Sequence, residues 1–102
     1  MTTFDRVVSG GQVMAGADLV TCDIGISNGI ITALGHNLQG KDTVDAKGKI
    51  VVPGGIDSHV HISQPSGPGI VMADDFESAT RSAAFGGNTT VIPFCMQEKG
   101  QT

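Results

Sequence analysis

Val51-Val52-Pro53-Gly54-Gly55-Ile56-Asp57-Ser58-His59-Val60-His61 is where the chain changes style. The Pro-Gly-Gly break closes one extended apolar run, and Ile56 to His61 reads as a new strand whose two histidines are spaced by two. Successive side chains of a strand point to opposite faces, so His59 and His61 project the same way while Val60 turns into the other layer. Two imidazoles on one face can share one metal ion. The spacing also occurs by chance, and taken alone it is better read as two solvent-facing histidines at a strand end.

Downstream, Ser63-Gln64-Pro65-Ser66-Gly67-Pro68-Gly69 forms a Gly- and Pro-rich loop, and Asp74-Asp75-Phe76-Glu77 opens a helix. Asp74 is expected to accept from the free N–H groups of the first turn, with Glu77 reaching back in a capping box. Phe76, Ala79, Thr80, Ala83 and Ala84 fall at i, i+3, i+4, i+7 and i+8, a mostly apolar stripe that can lie on a sheet, and Gly86-Gly87 stops the helix. Thr89-Thr90-Val91-Ile92-Pro93-Phe94 then reads as a second buried strand. Strand, helix, strand is one βαβ unit, and parallel strands of this kind belong to sheets or barrels with more strands than this chain supplies. The histidine pair lies at the carboxyl end of its strand, the rim where parallel α/β barrels place their active sites.

Upstream, residues 1–52 alternate short apolar runs with Gly-bearing turns: Phe4 to Val8, Val13-Met14, Leu19 to Ile26, Ile30 to Leu34 and Lys49 to Val52. This predicts β-structure in a small antiparallel sheet or sandwich, with turns at Gly10-Gly11, Gly16, Gly35, Gly40 and Gly48. Ser27-Asn28-Gly29 predicts a hairpin, because Asn-Gly accepts the positive φ at both central positions of a type I′ turn.

A chain of 102 residues has room for one small domain, and with 39% hydrophobic and only 4% aromatic residues its core relies on Val, Ile, Leu, Ala and Met. The net charge of −4 is dispersed and offers no basic stripe for a phosphate backbone, so nucleic acid is not expected as a partner. No stretch approaches the roughly 20 apolar residues of a membrane span, and the N-terminus lacks a basic segment followed by an apolar run. A soluble, cytoplasmic protein is the expectation. Cys22 and Cys95 each sit in an apolar run, in no CxxC arrangement, and are expected to be reduced and buried. His36, between Gly35 and Asn37, reads as an exposed loop residue.

The run from Pro53 to His61 resembles the first barrel strand of the amidohydrolase superfamily. Gln64-Pro65, Val71 to Ala84, Gly86-Gly87 and Thr89 to Phe94 resemble dihydropyrimidinases and D-hydantoinases in particular. The leader is similar to the N-terminal part of that family's small β-sandwich. The resemblance implies an α/β fold: a β-rich leader over residues 1–52, part of the sandwich, then over residues 53–102 the first βαβ unit of an incomplete TIM-type barrel. It further implies hydrolytic ring opening of a small cyclic amide, such as a dihydropyrimidine or a 5-substituted hydantoin, at a binuclear zinc site. Zinc there would lower the pKa of a bridging water and polarise the ring carbonyl. His59 and His61 fall on the family's pair of histidine ligands. Gln64, Ile70, Val71 and Met72 fall in a loop that shapes the substrate pocket, and an ordinary connecting loop is the competing reading for each. Asp57, on the same strand face, is a candidate outer-shell carboxylate or a structural strand-end residue.

The family's bridging carbamylated lysine, further histidines and metal-binding aspartate come from later barrel strands. No histidine follows His61, and Lys99, in a polar tail, does not replace the bridging lysine. The chain is therefore expected to be an N-terminal portion, inactive by itself and dependent on the remaining barrel segment or another polypeptide; the complete enzyme is expected to be a homo-oligomer. Two alternatives stay open. One is a non-catalytic interaction or assembly module related to this family; the other is a small metal-binding protein using the HxH pair with one more carboxylate.

Overall fold

The computed structural model describes residues 3–101. The chain divides after Pro53 into two compact units.

The first unit is a five-stranded sheet built on one long strand. Strand β1 (Thr3–Ala15) pairs antiparallel with β2 (Asp18–Ser27), which pairs antiparallel with β3 (Ile30–Gly35). On its other edge β1 pairs in parallel with β4 (Gln39–Asp45) along its first half and with β5 (Ile50–Val51) along its second. The sheet is therefore mixed, not antiparallel as the turn pattern suggested. The Asn28-Gly29 hairpin forms as expected: the two residues have φ of 53° and 75° and connect the Ser27–Ile30 pair. Gly16 likewise serves the β1–β2 turn, at φ 69°.

Three glycines read as turns, Gly10, Gly11 and Gly40, lie inside strands. Gly10-Gly11 does not break β1; the register against β2 shifts between Val8 and Gly11, and Gly10 at φ 74° absorbs the shift as a bulge. Gly40 sits within β4 because a Cβ there would come within 2.9 Å of Val7 Cγ2 and 3.0 Å of Val7 N. Val7 is fully buried, so the polar run Gln39–Asp45 is held by close backbone approach and ladder bonds to β1, not by an apolar pattern of its own.

The buried side chains of this unit include Phe4, Val7 and Ala46 and a cluster of Val13, Cys22 and Ile24 with Val8, Ile26 and Val51 packed against it. Each such aliphatic side chain contributes on the order of 1.5–3 kcal/mol when fully removed from water. One carboxylate is buried with them. Asp23 Oδ1 accepts from Ser9 Oγ at 3.0 Å and from the Gly10 N–H at 2.9 Å, while Oδ2 accepts from the Leu38 N–H at 3.1 Å. Burial alone would raise its pKa; the Gly10, Leu38 and Ser9 hydrogen bonds and the nearby His36 outweigh burial and hold it below the ordinary carboxylate value. Asp23 thus ties the β1 bulge to the β3–β4 turn. His36 is exposed in that turn, as expected.

The second unit contains β6 (Gly55–Val60), α1 (Phe76–Phe85) and β7 (Asn88–Pro93), with β6 and β7 paired in parallel and α1 against β7. The βαβ order is as expected, with the first strand ending one residue short of His61. The helix begins one residue later than its acidic run suggested. Asp75, not Asp74, is the N-cap: its side chain accepts from the Ser78 N–H at 2.8 Å, and Ser78 Oγ accepts from the Asp75 N–H at 3.1 Å. Asp74 instead accepts from Ser78 Oγ at 2.7 Å. Glu77, expected to close the box, points along the helix to Arg81 at 3.7 Å. The short serine hydroxyl at the third helical position fills the box and frees the glutamate. Of the expected stripe only Ala79 and Ala83 are half-buried; Phe76, Thr80 and Ala84 are exposed. Gly87, at φ 88°, takes the left-handed position that ends the helix.

Among the described residues no helix is long and apolar enough to cross a membrane. Both cysteines are free, with Cys22 buried; Cys95 is exposed, contrary to expectation, because β7 ends at Pro93 and leaves it in the following irregular segment.

Candidate functional site

The Pro-Gly-Gly break has a steric cause. A Cβ on Gly54 would collide with the Thr89 side chain, and one on Gly55 with Asn88 Oδ1. Only glycine lets the start of β6 run this close to the start of β7, where the Gly55 N–H donates to Gly87 O at 2.8 Å. Pairing then runs from Ile56 opposite Thr90 to Val60 opposite Pro93, with an irregularity between Asp57 and Val60. Asp57 Oδ1 accepts from the His59 N–H at 3.2 Å, so this carboxylate engages the backbone of the histidine segment.

The two imidazoles come out together at the carboxyl end of β6, with ring centroids 5.2 Å apart. Both histidines are exposed. A third ring, which the sequence reading left in the strand, completes the arrangement. Phe94 stacks on His59 at 5.6 Å and 16°, and lies 5.2 Å from His61 at 33°. Its backbone N–H donates to Val60 O at 2.8 Å, which fixes it beside the pair. The signal was present: in a parallel pair, the residue just after the second strand emerges at the same end as the residue just after the first.

The loop after β6 turns back at once. Ser63 has φ 48°, and Gln64 Oε1 comes into hydrogen-bond contact with His61 Nδ1. The Gln64 N–H donates to Met72 Sδ at 3.2 Å, so Met72 pins the returning loop from its far end. Ser63, Gln64, Pro65, Ser66, Ile70 and Met72 contribute to an open concavity of about 290 Å³, which Val71, Asp74 and Asp75 also line. The structure thus gathers Gln64, Ile70 and Met72 around one hollow and joins that hollow to His61 through Gln64. Ile70 and Val71 expose apolar side chains there, at 65% and 91%.

Two imidazoles side by side at one strand end are of the donor type that zinc takes. Among the described residues no group of three or more His, Cys, Asp or Glu side chains converges on a common point. The His59 ring has no hydrogen-bond partner among the described residues.

No family model matches the chain. Individual relatives do. A D-hydantoinase of Geobacillus stearothermophilus is 44% identical over 98 residues, 94% of this chain and 21% of the relative. An allantoinase of Rubrobacter xylanophilus is 40% identical over 94 residues, 90% of this chain and 20% of the relative. The solved structure of a D-hydantoinase (dihydropyrimidinase) from Thermus sp. superposes with a TM-score of 0.85 at 31% identity, covering 95% of this chain and 22% of that one. The chain therefore spans about a fifth of the length of the relatives it matches. Over that length, in sequence and in fold, the chain belongs to the dihydropyrimidinase and D-hydantoinase family of the amidohydrolase superfamily.

Proposed function

We propose that this chain supplies part of the active site of a zinc-dependent cyclic-amide hydrolase that opens dihydropyrimidine or 5-substituted hydantoin rings. The observation carrying the reading is the set of three rings, His59, His61 and Phe94, at the carboxyl end of two parallel strands, in a chain 44% identical to a D-hydantoinase. β6, α1 and β7 would be the first βαβ unit of a TIM-type barrel, since a parallel pair covered by a helix on one face calls for further strands.

His59 and His61 would hold zinc, and zinc bound there would supply a Lewis acid and a water acidified towards neutrality. Asp57 steadies the histidine segment through the His59 N–H. Phe94 covers one side of the imidazoles and limits their rotation. The concavity from Ser63 to Asp75 would receive the ring substituent, with Ile70 and Met72 giving apolar contact and Gln64 a polar edge. The two carboxylates there have other duties, Asp75 as helix cap and Asp74 as acceptor from Ser78, and we assign them no step in catalysis. The metal-binding partners not found among the described residues would come from further barrel segments. Two free cysteines, one exposed, suit a reducing compartment, and we place the protein in the cytoplasm.

A chimera provides the test. Residues 1–102 replace the matching segment of the Geobacillus D-hydantoinase, and ring opening of a 5-substituted hydantoin is followed by absorbance. Turnover is expected, and His59→Ala or His61→Ala should remove it. A folded chimera without turnover would favour a non-catalytic assembly role instead.

A further inference from the structure

We infer that Gln64 is the positioning residue of His61: its side-chain carbonyl holds the imidazole in the Nδ1–H tautomer and leaves Nε2 as the nitrogen offered to a metal. The inference deepens the metal-site reading above and rests on it for its purpose.

A neutral imidazole carries one proton on either nitrogen, and only the unprotonated nitrogen can donate a lone pair to a metal. An amide oxygen can only accept. With Gln64 Oε1 against His61 Nδ1, the proton must lie on Nδ1, and Nε2 is bare. The opposite arrangement, an amide NH2 facing Nδ1, would put the proton on Nε2 and block ligation there.

The surroundings are built to hold this contact. Ser63 turns the chain at φ 48°, which brings residue 64 back beside residue 61. The Gln64 backbone is tied to Met72 Sδ, and Ser66 Oγ donates to the Gln64 carbonyl at 3.4 Å. On the other side Phe94 lies against the His61 ring, so the imidazole is flanked by an aromatic face and an acceptor. His59 receives the aromatic face but no acceptor among the described residues. The two histidines are thus unequal, with His61 pre-set and His59 free to choose its nitrogen on metal binding. Gln64 also lines the adjoining hollow, which couples that hollow to the orientation of one candidate ligand.

The test uses the 15N-labelled chain at about pH 8, where ordinary imidazoles are neutral. Long-range 1H–15N correlation distinguishes the tautomers, and exposed His36 is the internal reference. His61 is expected as the Nδ1–H form. Gln64→Ala should return it to the mixture shown by His36, while Gln64→Glu, which still presents an acceptor, should preserve Nδ1–H. Zinc affinity should fall roughly 10–100-fold in Gln64→Ala and less in Gln64→Glu. A His61 tautomer matching His36 in the unsubstituted chain, or one unmoved by Gln64→Ala, overturns the inference. Zinc that leaves the His59 and His61 resonances unshifted overturns the metal-site reading instead, while a tautomer that still follows Gln64 upholds the hold on the ring.

Discussion

Asp23 illustrates how much of the first unit depends on a single polar side chain. Three donors converge on its carboxylate, two of them backbone N–H groups from segments that share no strand pairing with each other. Asp23→Ala would leave the Gly10 and Leu38 N–H groups without their acceptor, and a loss of about 1–3 kcal/mol in unfolding free energy is expected by denaturant titration. The folded-state pKa is lowered, so the contribution is present above the ordinary value of 3.8 and disappears as pH falls through the lower folded value. Gly25 makes a second residue-scale prediction. A Cβ there would stand 2.7 Å from Phe4 Cε1, and both residues are buried, so Gly25→Ala should cost about 1–3 kcal/mol in the same titration. Neither role was legible in the sequence. Asp23 looks like one polar residue in an apolar run, and the ring over Gly25 comes from a strand some twenty residues earlier. The nearness of His59 and His61 was legible, because alternation along an extended segment puts residues two apart on one face.

Elements with a local chemical signature were readable; those defined by distant partners were not. The Asn28-Gly29 hairpin and the βαβ order follow from turn chemistry and periodicity. β4 escaped notice because Gln39–Asp45 has no apolar alternation and becomes a strand only by pairing with β1. Gly10-Gly11 looked like a turn because a bulge and a turn need the same positive φ. The helix cap was displaced by one residue since either of two adjacent aspartates fits the pattern, and only the Ser78 hydroxyl decides between them. Asp75→Ala should therefore reduce helix content by circular dichroism, whereas Asp74→Ala, which removes one side-chain contact to Ser78, should reduce it less. Asp75 has its pKa lowered chiefly by the Ser78 N–H, so the cap should weaken as the solution is acidified through that lowered value.

At the scale of the whole chain, apolar side chains stand in water in both units. In the first, Ile30, Ile31 and Ile50 are more than 60% exposed; in the second, Ile56 is 66% and Phe85 90% exposed. Such surface favours association, and sedimentation of the 102-residue chain is expected to depend on concentration, with a hydrophobic dye bound before unfolding. A monodisperse monomer that binds no dye would speak against a need for covering partners. The βαβ unit and the nearness of the two histidines were foreseeable from Pro53 to Phe94, whereas the place of Phe94 beside them was not, because it depends on the register of β6 against β7. The account turns on His59 and His61 taking metal once the other donors are supplied. Native mass spectrometry of the chimera with the Geobacillus relative, loaded with zinc, asks this directly. About two metal ions per chain are expected with both histidines present, and at least one fewer with His59→Ala and His61→Ala combined. An unchanged metal count in that double variant would contradict the account.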